Sequence, residues 1–239
     1  MIQDESTTWL PIPTTPFVGR VDELMHVESL LTNPGVRLLT LLGPGGTGKT
    51  RLALEAASRA QASFPDGVFF VPLLSVSTAA GITERLRDVL ILQEKSLSTL
   101  GERRALLVLD NFEHLIVHSE WMVKALGSWP GVVILTTSRE ALKLSNEWVL
   151  PIDGLSFPTD VTDASEGGRH DAVRLFELRA RQLLPNFDLR AEFGHVARIC
   201  QLVEGLPLAL ELAAAWLRTL SPREIASRIC CSRSRRWAR

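Results

Sequence analysis

The amino-acid sequence predicts an α/β fold, in which a doubly wound parallel sheet is followed by a small all-α subdomain. Three observations support this prediction. Up to about residue 154, apolar segments of strand length alternate with segments of helical periodicity, as in parallel βαβ units. The strand segments are apolar throughout, which is typical of strands covered by helices on both faces. After residue 154 only helical patterns follow.

The first part of the chain predicts a lead-in and one βα unit. Residues 1–16 contain three prolines among polar residues and predict an extended lead-in. Residues 21–31 carry apolar side chains at helical spacing, and Asn33-Pro34-Gly35 ends that helix. Residues 36–42 are almost continuously apolar and predict the first buried strand, and the residues from 51 onward predict the helix after it.

Further strands and helices complete the predicted α/β domain. Apolar runs predict strands at residues 67–74, 105–109 and 132–135, with a short fifth strand at 148–151. Helical spacing predicts helices at residues 82–92 and 113–126. We therefore assign residues 17–154 to one domain.

The remainder predicts a helical subdomain and a tail. Helices are predicted from residue 171, at 191–202 and at 208–217, and Ser221-Pro222 begins a fourth. These elements place the helical subdomain at residues 155–228. Residues 229–239 are arginine-rich without an acidic residue, and we expect a basic, disordered tail. Such an ending is what we expect of a chain that is truncated at its C-terminus.

Composition narrows the classes of partner. The net charge is −1, so the chain lacks the overall positive charge that is typical of nucleic-acid-binding proteins. Nucleic-acid binding by this chain is therefore not expected. No apolar run approaches the ~18 residues of a membrane span, and we expect no membrane association. The three cysteines do not form a disulfide or zinc pattern, which favours a reducing, cytoplasmic setting.

Residues 43–50 match the phosphate-binding motif G-x-x-x-x-G-K-[ST] between a predicted strand and a predicted helix. Glycines permit the dihedrals that turn backbone N–H groups toward phosphate oxygens, and the helix adds its positive dipole end. Lys49 is predicted between the β- and γ-phosphates, and Thr50 is predicted to ligate Mg²⁺. The other predicted nucleotide-binding residues of this region are Gly43, Gly45, Gly46, Thr47, Gly48 and Arg51.

A second set of residues follows later strands. Asp110 ends a strand about 60 residues after Lys49, where a P-loop protein places its magnesium-binding carboxylate. The next residue is Asn111, whose amide cannot accept a proton. Glu113 is then a candidate base, or an acid that only complements a helix dipole. Arg139 follows another strand and either senses the γ-phosphate or pairs at the surface with Glu140 or Asp110.

The ordered motifs resemble the STAND class of P-loop ATPases, and in particular its NB-ARC-type module, found in bacterial ATP-dependent transcriptional regulators and predicted ATPases. The motifs that carry the resemblance span residues from about 10 to 225. They are Phe17-Val18-Gly19-Arg20, the P-loop, Leu107-Val108-Leu109-Asp110-Asn111-Phe112-Glu113-His114, Leu135-Thr136-Thr137-Ser138-Arg139 and Gly205-Leu206-Pro207-Leu208-Ala209-Leu210.

The resemblance implies further roles. Val18 and Arg20 would flank the adenine and ribose, and Pro207 would pack against the nucleotide and couple the helical subdomain to it. Lys49, Asp110 and Arg139 would be the catalytic set, beside Glu113 as the candidate base named above, with Thr50 and Asp110 holding Mg²⁺. Full-length members continue into a winged-helix subdomain and then sensor or effector regions, which this chain does not contain; these regions, or a partner protein, are the implied partners.

The resulting hypothesis is an ATP- or ADP-binding switch that hydrolyses ATP slowly with Mg²⁺, so that catalysis is secondary to binding and nucleotide exchange repositions the helical subdomain. Two alternatives stay open. One is an efficient AAA+-like ATPase that forms nucleotide-dependent oligomers, with Glu113 as base. The other is a truncated remnant that does not hydrolyse ATP.

Overall fold

The computed structural model describes residues 8–91, 97–160 and 169–236, which divide into two compact units. The first unit contains residues up to Phe17, then Val21–Pro44 and Lys49–Ile152. The second contains Val18–Arg20, Gly45–Gly48 and the residues from Asp153 onward. The boundary passes twice through the phosphate-binding motif, because its two ends belong to the first unit and Gly45–Gly48 to the second.

The first unit is built on a parallel sheet. The six strands that the structure describes lie in the order β1-β3-β4-β5-β2-β6, and all their pairings are parallel. They are β1 (Thr8–Trp9), β2 (Leu38–Leu42), β3 (Val68–Pro72), β4 (Leu106–Asp110), β5 (Val133–Ser138) and β6 (Trp148–Pro151). The carboxyl ends of the central strands therefore meet at one edge, where ligands bind in open α/β sheets.

Helices cover both faces of this sheet, which confirms the predicted fold class. Along β4, Leu106 and Val108 join one buried cluster, and Leu107 and Leu109 join another. The alternation follows from the two-residue period of a strand. The first cluster includes residues of α1 and α2, and the second includes residues of α3 and α4. The four helices are α1 (Val21–Thr32), α2 (Lys49–Arg59), α3 (Ala79–Ile91) and α4 (Glu120–Ser128).

The second unit is helical. Its helices are α5 (Asp171–Leu183), α6 (Leu189–Leu202), α7 (Pro207–Ala215) and α8 (Pro222–Arg236). Side chains from all four helices form one buried cluster, in which the rings of Phe176 and Phe187 lie 6.3 Å apart. Asp188 caps α6, because its carboxylate accepts a hydrogen bond of 2.9 Å from the N–H of Arg190.

Two elements of the first unit differ from the sequence predictions. The expected lead-in contributes β1, which pairs with β3. The single helix expected at residues 113–126 is a 3₁₀ segment, Glu113–His118, followed by α4. The His114 imidazole anchors that segment, with Nε2 lying 3.1 Å from the carbonyl oxygen of Leu73.

The prediction of a disordered tail from residue 229 is wrong for residues 229–236. There α8 continues to Arg236, since this stretch contains neither proline nor glycine to end it. Residues 237–239 of that tail lie outside the described part of the chain. Within the described ranges, the structure shows no helix with both the length and the apolar character that a bilayer crossing requires.

Candidate functional site

Lys49 begins α2 in the first unit, and its side chain is largely buried. Its ammonium Nζ donates hydrogen bonds to the carbonyl oxygens of Gly43 at 2.7 Å and Pro44 at 2.8 Å. Burial lowers the pKa of Lys49, whereas the nearby carboxylates of Glu113 and Asp110 favour its charged form. The cation thus lies at the positive end of a helix, a favourable place for a phosphate group.

Asp110, the last residue of β4, is 6% exposed and joins two other elements. Its Oδ1 accepts hydrogen bonds of 2.7 Å from the Oγ1 of Thr50 and 2.7 Å from the Oγ1 of Thr137. Thr50 comes from α2 and Thr137 from β5. The structure therefore brings together the two residues that were predicted to ligate Mg²⁺. A carboxylate beside a hydroxyl presents the hard oxygen ligands that Mg²⁺ prefers.

Thr137 has a role that sequence reasoning missed. Its buried hydroxyl donates to Asp110 and also accepts a hydrogen bond of 3.0 Å from the N–H of Asn111. Asn111 has a φ of 64°, so this bond holds a backbone conformation that non-glycine residues rarely adopt. The available signal was the run of three hydroxyl residues, Thr136-Thr137-Ser138, that ends an apolar strand.

Glu113 and Arg139 form an ion pair at the same edge of the sheet. The Nε of Arg139 lies 3.1 Å from the Oε1 of Glu113. The arginine side chain is 62% exposed and the glutamate side chain 19%. The alternative prediction was that Arg139 pairs at the surface with Glu140 or Asp110. That prediction is wrong about the partner, which is Glu113. Arg139 directly follows the last residue of β5, and Glu113 is the first residue of the 3₁₀ segment after β4.

Arg51 lies away from these groups. Its guanidinium donates to the carbonyl oxygen of Thr15 at 2.7 Å and to the Thr15 hydroxyl at 3.2 Å. This residue therefore fastens α2 to the segment before α1. Its predicted contact with nucleotide stays a prediction.

The middle of the phosphate-binding loop belongs to the second unit. Gly46 and Gly48 have φ values of 82° and 90°, which glycine adopts without strain. The N–H of Leu208, in α7, donates a hydrogen bond of 3.2 Å to the carbonyl oxygen of Gly46. A Cβ added to Gly46 would lie 3.0 Å from the Leu208 Cβ, and one added to Gly48 would lie 3.7 Å from the Pro207 Cγ. The loop and the start of α7 are thus in direct contact.

Arg20 is buried in the second unit and holds three backbone segments. Its guanidinium donates to the carbonyl oxygens of Thr47 at 2.7 Å and Asp153 at 2.6 Å. Its backbone N–H donates to the Asp171 carboxylate at 3.1 Å. These bonds give Arg20 a structural role, and its predicted place beside a ribose stays a prediction.

Val18 borders a cleft of about 510 Å³ in the second unit. The cleft is otherwise lined by side chains of α5, namely Arg174, Glu177, Leu178, Arg181 and Gln182. Part of Val18 also packs against the buried helical cluster. That Val18 borders an adenine stays a prediction, and the cleft provides space at that residue.

Gly205 explains why a glycine precedes Leu206-Pro207. Its φ is 65°, and a Cβ there would lie 2.0 Å from the carbonyl oxygen of Leu155. The N–H of Leu155 donates a hydrogen bond of 2.8 Å to the Gly205 carbonyl oxygen. This close backbone contact fixes the turn from which α7 begins.

Several curated bacterial proteins are similar to this chain. An uncharacterized protein of Mycobacterium tuberculosis is 36% identical over 223 residues, which are 88% of this chain and 53% of that protein. A putative HTH-type transcriptional regulator of the same species is 38% identical over 201 residues, 80% of this chain and 21% of the regulator. Regulatory protein AfsR of Streptomyces griseus is 26% identical over 257 residues, which cover 95% of this chain and 24% of AfsR. No family model matches the sequence.

Solved structures agree on the fold. PCH-2 of C. elegans has a TM-score of 0.55 at 15% identity, covering 92% of this chain and 70% of PCH-2. Cdc6p of Pyrobaculum aerophilum has a TM-score of 0.52 at 15% identity, covering 93% and 65%. At this identity the likeness concerns the fold alone, that of the P-loop ATPases.

The solved structures have the fold that the ordered motifs predict. Two of the similar bacterial proteins are named as regulators. The chain has the fold of the P-loop ATPases. It spans about half the length of the uncharacterized mycobacterial relatives and about a fifth of the putative HTH-type regulator. Lys49, Thr50 and the residues at the ends of β4 and β5 have defined positions in the first unit, and Gly45–Gly48 belong to the second.

Proposed function

We propose that the chain is an NB-ARC-type switch module that binds ADP or ATP with Mg²⁺ and hydrolyses ATP slowly. The observation that carries the proposal is the hydrogen bond of 2.7 Å between Thr50 and Asp110. It joins the last residue of the phosphate-binding motif to the carboxylate at the end of β4. Proteins of this class use that pair of oxygens for the magnesium ion of a nucleotide.

The residues present fit a nucleotide phosphate group. The ammonium of Lys49 is bonded to two carbonyl oxygens of its own loop, and phosphate oxygens are stronger acceptors for the same cation. The loop N–H groups near Gly46 and Gly48, where φ is positive, would add donors. Lys49 would then bind the β- and γ-phosphates.

The residues also fit Mg²⁺. When bound, the ion would neutralise phosphate charge and polarise the phosphoryl oxygens. Thr50 and Asp110 would hold it, and the Thr137 hydroxyl would keep the carboxylate oriented through its own bond to Oδ1. The buried position of Asp110 limits competing water.

Slow hydrolysis follows from the groups beside Asp110. Asn111 carries an amide, which cannot accept a proton from water at neutral pH. Glu113 is acidic, but its Oε1 is already paired with Arg139. We therefore expect turnover well below the ~1 s⁻¹ that marks the lower end of typical enzymes.

We further propose a regulatory role for the whole protein, since one relative is named as a putative HTH-type transcriptional regulator and another as a regulatory protein. Sensor and effector regions, or a partner protein, would receive the signal. Within the second unit, the bond from Leu208 to Gly46 offers a direct route from the phosphate-binding loop to α7.

A second candidate function, an efficient oligomeric ATPase, has one observation in its favour. The Oε2 of Glu113 is buried and has no hydrogen-bond partner among the described residues, so it could accept a proton from a water molecule. Turnover that rises steeply with protein concentration, and that Glu113→Gln abolishes, would favour this candidate over a slow switch.

The test of the proposed function is an equilibrium titration of wild type and Asp110→Asn with ADP and with ATP, each in Mg²⁺ and in EDTA. We expect the wild type to bind both nucleotides more tightly in Mg²⁺, and Asp110→Asn to lose most of that difference. Asp88→Asn, a change at a carboxylate on α3, is the matched control and should behave as wild type. Equal affinity in Mg²⁺ and EDTA for the wild type would contradict the assigned magnesium ligands.

A further inference from the structure

We infer that Glu113 sets the preference of the site between nucleoside diphosphates and triphosphates, by pairing with Arg139 when no γ-phosphate is present. The inference rests on the proposed function, and it assigns to Glu113 a role other than that of a base. It starts from one contact, the 3.1 Å ion pair between the Glu113 Oε1 and the Arg139 Nε.

The charges around this pair show what Glu113 does in the site. Burial lowers the pKa of Lys49, and among the nearby charges the Glu113 carboxylate, which raises that pKa, has a larger effect than Arg139 or Asp110. Glu113 therefore lies close enough to influence both the lysine of the phosphate-binding motif and the arginine after β5. It would thus supply, from within the protein, the kind of negative charge that a γ-phosphate brings when a triphosphate is bound.

The Arg139–Glu113 ion pair is weak enough for a γ-phosphate to replace Glu113 as the partner of Arg139. The Arg139 side chain is 62% exposed, and an ion pair with one exposed partner adds little stability. A γ-phosphate has three oxygens and more than one negative charge, so it competes effectively with one carboxylate oxygen for a guanidinium group. A diphosphate has no such group, and Arg139 then stays with Glu113.

The second carboxylate oxygen supports the same conclusion. The Glu113 Oε2 is buried and lacks a hydrogen-bond partner among the described residues. A carboxylate oxygen without a donor repels a second anion that binds beside it, and the anion provides no hydrogen bond to that oxygen. Glu113 thus disfavours a triphosphate in two ways, by occupying Arg139 and by direct repulsion.

The experiment compares ADP with a non-hydrolysable ATP analogue, both in Mg²⁺, by equilibrium titration. Glu113→Gln preserves the shape of the side chain and removes its charge. We expect this change to raise the ratio of triphosphate to diphosphate affinity by about two- to fivefold, the range that an exposed ion pair supports. Glu140→Gln removes a neighbouring exposed carboxylate and is the matched control, with an unchanged ratio.

A double-variant cycle shows whether Glu113 acts through Arg139. Arg139→Gln should lower the ratio, because the triphosphate loses its guanidinium partner. In that background, Glu113→Gln should raise the ratio by a smaller factor than in the wild type. A role in folding alone would change both affinities together and leave the ratio unchanged.

The outcomes separate this inference from the proposed function. A wild-type chain that binds both nucleotides, with a ratio that Glu113→Gln leaves unchanged, overturns the inference and leaves the switch proposal standing. A wild-type chain that binds neither nucleotide overturns both. If Glu113→Gln does not fold, an unchanged ratio in Arg139→Gln, whose altered side chain is exposed, overturns the inference as well.

Discussion

The hydroxyl of Thr50 donates a hydrogen bond of 2.7 Å to the Oδ1 of Asp110, 60 residues further along the chain. The same oxygen accepts a second bond of 2.7 Å from Thr137. One carboxylate oxygen thus joins the start of α2, the end of β4 and the end of β5. Two motifs that are separate in the sequence form one oxygen cluster in the first unit, and this cluster defines the proposed magnesium site.

Thr137→Val tests whether that cluster needs its third member. The change leaves the Asn111 N–H without its acceptor and removes one donor from Asp110. We expect a loss of about 1–3 kcal/mol in the free energy of unfolding, together with a weaker effect of Mg²⁺ on nucleotide affinity. Chemical denaturation and titration in Mg²⁺ and EDTA measure the two effects.

Two further variants serve as controls for Thr137→Val. Thr137→Ser keeps the hydroxyl and should restore most of the magnesium effect. Thr136→Val removes a bond of 2.9 Å to the carbonyl oxygen of Leu109 and no bond to Asp110, so it should affect stability alone. A magnesium effect in Thr137→Val equal to that of the wild type would exclude a positioning role.

Gly46→Ala tests the contact between the phosphate-binding loop and α7. The residue has a φ of 82°, and the new Cβ would lie 3.0 Å from the Leu208 Cβ. We expect at least a tenfold loss of nucleotide affinity, because both the strain and the close contact disturb the loop. The double variant with Leu208→Ala should recover part of the loss, since it relieves the contact and leaves the strain. Wild-type affinity in Gly46→Ala would refute the assigned geometry.

Gly205→Ala tests the turn before α7. A Cβ at this position would lie 2.0 Å from the Leu155 carbonyl oxygen, in a residue whose φ is 65°. We expect the second unit to lose about 3 kcal/mol or more of stability, which thermal unfolding measures. Gly127→Ala is the control: nothing lies within 4 Å of its Cβ, and in α4 it should stabilise by about 0.5–1 kcal/mol. Equal melting temperatures for the two variants would contradict this reading of the turn.

The cysteines give a prediction that does not depend on nucleotide. None of the three forms a disulfide, and Cys200 is buried while Cys230 and Cys231 are exposed. Burial raises the pKa of the Cys200 thiol from its ordinary value of 9.0 to about 12. We therefore expect two thiols to react quickly with a thiol reagent at pH 8 and the third to react only on unfolding.

The raised pKa of Cys200 also sets a pH dependence of stability. The folded chain binds the thiol proton of Cys200 more tightly than the unfolded chain does. The contribution of this proton to the free energy of unfolding is therefore complete below pH 9 and is lost as the pH rises from 9 toward 12. Cys200→Ala should show a smaller loss of stability in that range. A third thiol that reacts as quickly as the other two in the folded protein would contradict the burial of Cys200.

Much of the α/β part was predictable because its signals are local. The apolar runs at β2 to β6 and the P-loop are visible in the sequence, and parallel strands bring their carboxyl ends together. Asp110 and Thr50 could be paired on that basis. The contacts of Thr137 could not, because they depend on the register between β4 and β5, in which Leu109 lies opposite Thr136.

The remaining differences arise from tertiary contacts. No local pattern announces that Arg139 pairs with Glu113 rather than Glu140, because the choice depends on the path of the 3₁₀ segment. Strand β1 has only two residues, and its pairing with β3 defines it. The guanidinium of Arg20 binds two carbonyl oxygens from distant loops, which spacing alone cannot predict.

The central claim is that the P-loop of this chain holds a nucleotide. The most direct test measures the nucleotide released when the purified protein is denatured, in wild type and in Lys49→Ala. We predict ADP or ATP in near-equimolar amount from the wild type and almost none from Lys49→Ala, while Lys124→Ala, a change at an exposed side chain of α4, retains it. No nucleotide from the wild type, and no binding when Mg-ATP is added, would contradict the claim.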